Sequence, residues 1–334
     1  MNFFSAQIAA AIRAVVIHSD TCYSWLGRRL PALSRSIQLR ITPKQVRGYL
    51  LYNLQNQLYA DFYCHGLAKR RETEASRPLP GLTSFVQALS DANTGRGCYE
   101  SGWLVSEVKD DEIVARKNGP EFRMSRNDCG GANGGPITPG ASLTVHLPKE
   151  FLNMSPHFYL ALGNEQLPTA DATGIVRFYW NLTASGAVSF MHNATRLLNE
   201  AHLPFHLKVL RDPELYTRCD AGVLYAPKQN YDAMAEVLVK LYRLTAGKLK
   251  PSTPAFTKTL APGLGLAESP RSTESFGEHR CALLANAMVL AHEHDVESIS
   301  DRLGFVMQHF EREQINMDAP FLNPGSSDNY HWVS

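Results

Sequence analysis

The chain has 334 residues, 44% of them hydrophobic, enough for a sizeable core in one large domain or two modest ones and too many for a disordered chain. Lys and Arg total 33 against 32 Asp and Glu, so no overall field draws the protein to nucleic acid or anionic lipid, and any anion specificity must be local. The 6 cysteines (Cys22, Cys64, Cys98, Cys129, Cys219 and Cys281) are scattered without a CxxC pair, which fits reduced thiols in a cytoplasm better than a disulfide scaffold.

The N-terminal MNFFSAQIAAAIRAVVIHSD lacks the basic start of a secretory signal, and Arg13 and His18 interrupt its apolar run; it suits one face of a packed helix. No stretch reaches the length of a membrane span. TPKQVRGYLLYNLQNQLYADFYCHG predicts a helix capped by Thr42, with Pro43 in the first helical position and Gly66 at its end. Val46, Leu50, Leu54, Leu58 and Phe62 recur every fourth residue and form its buried stripe. A polar link with Pro78 and Pro80 marks the domain boundary, and a shorter helix from about Ser84 ends at Gly95 and Gly97. This divides a helical N-terminal region, 1–95, from a second domain, 96–334.

A meander follows: Trp103 to Val108, a turn at Asp110 and Asp111, Glu112 to Arg116, then an Asn118–Gly119 turn into Phe122. Cys129 to Gly140 is rich in Gly and Pro and reads as a loop. Strands are predicted at Ser142 to Leu147, Phe158 to Leu162, Ile175 to Leu182, His206 to Leu210 and Gly222 to Tyr225. Helices are predicted at Ser185 to His202, Tyr231 to Leu244, Glu278 to His294 and Ser298 to Glu313. The predicted class is α+β, a mixed sheet packed by helices, with the choice of parallel or antiparallel pairing left open.

Several familiar sites are absent: no Walker-type phosphate loop, nucleophile elbow, HExxH or strand followed by GxGxxG. His292 and His294 stand two apart on a helix and point in different directions, so they read as a solvated face, and Cys219 and Cys281 read as small buried residues. Cationic side chains recur instead in strand-like or loop contexts: Arg177 in VRFYWN, Lys208 in FHLKVL, Arg218 in YTRCD, Lys258 in FTKTLAPGLG, and His279 with Arg280 in ESFGEHRC. A cation beside an apolar run loses hydration and needs an anionic partner or must become neutral. Alternation places Lys208 on a strand whose two faces are both largely apolar, and burial beside other cations is how a lysine becomes a base near neutral pH. His279 and Arg280 lie near a helix start, where free N–H groups favour phosphate. Converging, these residues would make an anion pocket with a base inside it.

The same segments carry a resemblance. GASLTVHLPKEF with PHFYLALGN, GIVRFYWNLTASGA, LPFHLKVLRDPELYTRCDAGVLY, PAFTKTLAPGLGLAESP and ESFGEHRCALLANA resemble the HopA-type family over roughly Gly140 to Asn323. That family includes a type III effector and stand-alone lyases of class V lanthipeptide and thioamitide maturation. The resemblance implies a cytoplasmic enzyme that eliminates phosphate from phosphoserine or phosphothreonine of a ribosomal precursor peptide, leaving a dehydroamino acid. It implies a partner kinase or phosphotransferase, no nucleic acid or membrane partner, and neither metal nor organic cofactor. The reaction asks for a base, an acid and cations for the leaving phosphate. On this expectation Lys208 is the base and His279 the acid. Arg177, Arg218, Lys258 and Arg280 grip phosphate, and Tyr179 and Asn181, on the face of Arg177 by strand alternation, orient the substrate. Lys208 and Lys258 can exchange roles, and Arg211 is a weaker candidate because RDPE reads as a turn. The other function class is an effector or a non-catalytic binding module of the same fold.

Overall fold

The computed structural model describes residues 3–30, 32–67, 81–117, 119, 121–131, 134–168, 174–270 and 274–332. Helix α1 (Phe3–Ala14) runs straight into a small antiparallel sheet of β1 (Val15–Ser19), β2 (Cys22–Trp25) and β3 (Arg28–Arg29), which the sequence reading did not expect. After the short α2 (Arg35–Gln38) comes α3 (Pro43–Gln57), continued by a π-helical segment, Leu58–Tyr63. The Thr42 hydroxyl accepts from the Gln45 amide and the Gln45 side chain reaches back to the Thr42 N–H, a closed capping box with Pro43 just inside it. Leu50, Leu54, Leu58 and Phe62 are buried as predicted, while Val46 is half-buried. Pro78 and Pro80 lie outside the described residues, and α4 (Leu82–Ala92) follows them.

The predicted meander is part of a five-stranded antiparallel sheet, ordered β6-β5-β4-β8-β7. It comprises β4 (Cys98–Lys109), β5 (Glu112–Arg116), β6 (Glu121–Ser125), β7 (Cys129–Gly131) and β8 (Ser142–Leu147). The short β7 lies in the segment read as loop; Gly131 has no room for a Cβ, which would fall 1.9 Å from the Gly135 carbonyl oxygen. Trp103, Val105, Ile113, Ala115, Leu143 and Val145 give this sheet a small apolar cluster of its own.

The larger sheet is ordered β14-β15-β11-β13-β12-β10-β9, every pairing antiparallel. Its strands are β9 (Glu150–Phe151), β10 (Phe158–Leu162), β11 (Ile175–Trp180), β12 (His206–Leu210), β13 (Gly222–Pro227), β14 (Lys258–Ala261) and β15 (Leu264–Glu268). The last two form a hairpin through Pro262 and Gly263, whose φ of +76° only glycine adopts freely. α5 (Ala184–Glu200) and α6 (Tyr231–Thr245) cover one face, where Trp180 packs on Phe190 and Tyr242 and Phe178 stacks on Tyr231. The other face meets the π-helical segment and α7 (Phe276–Glu293) through Tyr179, Tyr63 and Phe276. α3 and α8 (Ile299–Arg312) pack on α7, and α1 packs on α8. Residues of α1, α3 and α4 share one continuous core with the seven-stranded sheet. The class is α+β, and no helix of the described residues is long and apolar enough to cross a membrane.

Covered on both faces, β11 is buried along its whole length, yet carries a guanidinium. α7 approaches this layer closely because Gly277 has no side chain: a Cβ there would lie 2.4 Å from the Tyr63 ring. Gly277→Ala is expected to destabilise by about 1–3 kcal/mol through overpacking, although alanine favours a helix by about 1 kcal/mol. Denaturant unfolding checks this, and equal or greater stability in the variant would refute the tight contact.

Candidate functional site

Strand register decides which predicted residues can meet. Arg177 stands opposite Tyr225, and Tyr225 opposite His206; Tyr179 stands opposite Val223, and Val223 opposite Lys208. Directly paired residues share a face, so Arg177, Tyr179, Tyr225, His206 and Lys208 all lie on the side covered by α7 and the π-helical segment. Lys258 pairs with Leu266, which pairs with Phe178, and this places Lys258 on the opposite face.

Arg177 is 8% exposed, and its Nε and Nη2 donate to the Ser269 hydroxyl at 3.1 and 2.8 Å. Its guanidinium lies 5.2 Å from the centre of the Tyr225 ring. Lys208 Nζ lies 4.5 Å from the Phe158 ring centre and 5.5 Å from that of Tyr225. Among the described residues no carboxylate comes within 4.0 Å of either cation. Burial pulls the Arg177 guanidinium down, but the phenols of Tyr179, Tyr225 and Tyr63 outweigh it and raise it. Burial likewise pushes the Tyr225 phenol up, yet Lys208 and Arg177 prevail and hold it below the ordinary tyrosine value.

Arg218 adjoins the cluster but is already committed. Its Nε and Nη2 form a bidentate pair with Asp220 at 2.8 and 2.7 Å, and Nη2 also donates to the Tyr59 phenol at 3.0 Å. Burial would raise the Asp220 carboxyl, but Arg218 and then Lys208 lower it below its usual range. The guanidinium also faces the Tyr59 ring at 5.5 Å and the Phe158 ring at 6.0 Å, so the pair forms a wall beside Lys208.

His279 and Arg280 start α7, whose Ser275–Glu278 capping box fixes the helix entry. Arg280 is fully buried and each of its three nitrogens makes one hydrogen bond: Nε to the Pro320 carbonyl, Nη2 to that of Leu322 and Nη1 to His279 Nδ1, each at 2.8 Å. A guanidinium only donates, so His279 Nδ1 accepts and the neutral ring carries its proton on Nε2. Burial and then Arg280 lower the imidazole to about 4. Helix α7 lies on the same side of the sheet as Lys208, joined to the cluster through the Phe276–Tyr179 contact.

The other predicted residues do not join the cluster. Lys258 Nζ is held by both Asp328 carboxylate oxygens and the Tyr330 carbonyl, each at 2.7 Å, so it anchors the C-terminal segment across the sheet. Asn181 donates to the Ser252 carbonyl at 2.8 Å beyond the end of β11, while its Oδ1 finds no partner. Arg211 donates to the Leu152 carbonyl at 3.2 Å. Tyr225, Asp220, Phe158, Tyr59 and Tyr63 were missed as site residues. For Tyr225 a signal existed, since it ends a predicted strand; its pairing with Arg177 did not.

The fold and cluster together define an α+β protein with a cationic, tyrosine-lined site on one face of an antiparallel sheet. Residues 151–322, more than half of the chain, match the HopA1 effector protein family, and the chain belongs to that family. Among solved structures it is similar to the effector protein from Pseudomonas syringae pv. tomato strain DC3000, with 16% identity, a TM-score of 0.48, and coverage of 83% of this chain and 96% of that one. It is also similar to the effector protein from Pseudomonas syringae pv. syringae strain 61, with 13% identity, a TM-score of 0.47, and coverage of 82% and 96%. No curated protein matches the chain.

His206, like His279, is lowered to about 4, in its case by burial against a weaker opposing pull from Glu100. An unfolded histidine titrates near ~6.5. The unfolded chain therefore binds more protons between these values, so the stability from two neutral imidazoles is complete above about 6.5 and is lost as pH falls towards 4. Denaturant midpoints should drop between pH 7 and 4.5, and His206→Gln with His279→Gln should flatten that slope. An unchanged slope in the double variant would show that the acid sensitivity originates elsewhere.

Proposed function

We propose that the chain is a lyase that eliminates phosphate from phosphoserine or phosphothreonine in a peptide phosphorylated by a separate kinase or phosphotransferase. The observation that carries this reading is the pair Arg177 and Lys208, two cations on one face without a carboxylate partner, set around a phenol and aromatic walls. Such a site is organised for a negative group from outside, and a guanidinium matches phosphate geometry. Arg177 takes the leaving phosphate and Lys208 takes the α-proton. The Arg218–Asp220 pair fixes the wall beside Lys208, and the Nε2–H of His279 is available to donate a hydrogen bond. Lys258 and Arg280, held by protein partners, support the chain around the site.

The test is to incubate a synthetic phosphoserine peptide with the purified protein and follow mass. Loss of phosphoric acid gives an alkene lighter than the unphosphorylated peptide, whereas a phosphatase restores the hydroxyl. Lys208→Ala and Arg177→Met are each expected to lower turnover about 100-fold or more. Arg177→Met also removes two hydrogen bonds to Ser269, so denaturant unfolding of each variant is measured alongside to separate lost chemistry from lost folding. Full activity in both variants would reject the assignment. Family membership is equally compatible with an effector acting on a host protein; absence of alkene from every phosphopeptide, with retained protein binding, would favour that reading.

A further inference from the structure

Tyr225 lies between the two cations and has no part in the assignments above. The pairing Arg177–Tyr225–His206 brings Arg177 to one side of it, and Lys208, two residues along β12, approaches its ring from the other. The groups that share its face are Lys208 and His206 from β12 and Arg177 and Tyr179 from β11; Asp220 precedes β13. A phosphate held by Arg177 and reached by Lys208 would lie beside the Tyr225 side chain, whose ring centre is 5.2 Å from the guanidinium and 5.5 Å from Lys208 Nζ. By contrast, neutral His279 has a bound Nδ1 and keeps its single proton on Nε2.

Resting on the lyase reading, we propose that Tyr225 donates the proton to the bridging oxygen of the departing phosphate and shares one proton with Lys208. Lys208 and Tyr225 hold one proton between them, and the reactive form is the one in which the amine of Lys208 is free and the phenol of Tyr225 carries that proton. The Cα–H bond breaks and its proton goes to Lys208 Nζ. Its electron pair forms the Cα=Cβ bond, and the Cβ–O bond breaks with its electrons on the bridging oxygen. Tyr225 Oη protonates that oxygen, so a phosphate monoester dianion leaves as hydrogen phosphate. The enzyme then holds an ammonium at Lys208 beside a phenolate at Tyr225, and transfer of one proton between them restores the starting state. Arg177 and Lys208 both stabilise the phenolate while it exists, in keeping with a phenol held below its ordinary value.

The experiment compares the natural chain with Tyr225→Phe on the same phosphoserine peptide, recording turnover against pH, and titrates phenolate absorbance in the near ultraviolet on each protein alone. The natural chain is expected to lose turnover at alkaline pH as Tyr225 gives up its proton, and to show a phenolate step below ~10. Tyr225→Phe is expected to keep peptide binding, lose about 100-fold or more in kcat, and lack both the alkaline limb and the step. Lys208→Met is expected to move the step to higher pH. An active natural chain with Tyr225→Phe within twofold of it, or with the alkaline limb intact, overturns the proposal and leaves the lyase reading standing. A natural chain that forms no alkene overturns the lyase reading and this proposal together.

Discussion

A guanidinium inside the central part of a sheet covered on both faces is the constraint around which the rest of this structure is arranged. Removing a charge from water costs several kcal/mol even after relaxation, and a carboxylate partner is the usual remedy. Arg177 has a serine hydroxyl and a ring of phenols instead. Phenol oxygens carry partial negative charge without neutralising the cation, so the site keeps its positive character in a medium where an electrostatic interaction is stronger than in water. A structural ion pair would have given that capacity away.

The support for Arg177 can be followed outward bond by bond. Ser269 accepts from its guanidinium, and Asn323 donates to the Ser269 carbonyl at 2.6 Å. Asn323 N–H donates at 2.7 Å to Glu268, which Tyr330 and Lys228 also engage from the far face. The preceding residues, Pro320 and Leu322, are fixed by Arg280. Arg280 and Lys258, both expected to bind phosphate, thus secure opposite ends of the segment that holds Ser269 in place. A cation can serve an anion site by fixing the backbone behind it, and bonds from every nitrogen to groups of the protein mark that role.

Elements were legible in the sequence, and so were the local hairpin pairings of the meander, β4 with β5 and β5 with β6, but not the pairings of the larger sheet. The strands at Ser142 to Leu147, Phe158 to Leu162 and His206 to Leu210 coincide with β8, β10 and β12, because each is a short apolar or alternating run between turn residues. The cap at Thr42 followed from local chemistry that needs no tertiary context. The β14–β15 hairpin escaped notice because Gly263 and Gly265 weaken the strand signal, and β1 to β3 because an apolar N-terminus reads as helix throughout. The site failed where register was required. Lys258 and Lys208 look equivalent in sequence, and only the pairing of Lys258 with Leu266 puts them on opposite faces. Tyr225 gained its importance from Arg177, a residue nearly fifty positions away.

Charge matching then narrows what the site can hold. Arg218 is balanced by Asp220 and Lys258 by Asp328, while Arg280 is spread over two carbonyls and an imidazole nitrogen. Arg177 and Lys208 remain without carboxylate contact among the described residues, and Asp220 acts on Lys208 only at longer range. Two cations facing one phenol suit a compact group carrying up to two negative charges, which a phosphate monoester does near neutral pH. A peptide carboxylate would balance only one of them. A long polyanion would need a basic track on the surface, for which the near-equal numbers of acidic and basic residues give no basis. The site's capacity is therefore set by what the protein leaves unpaired, not by how many cations the segment contains.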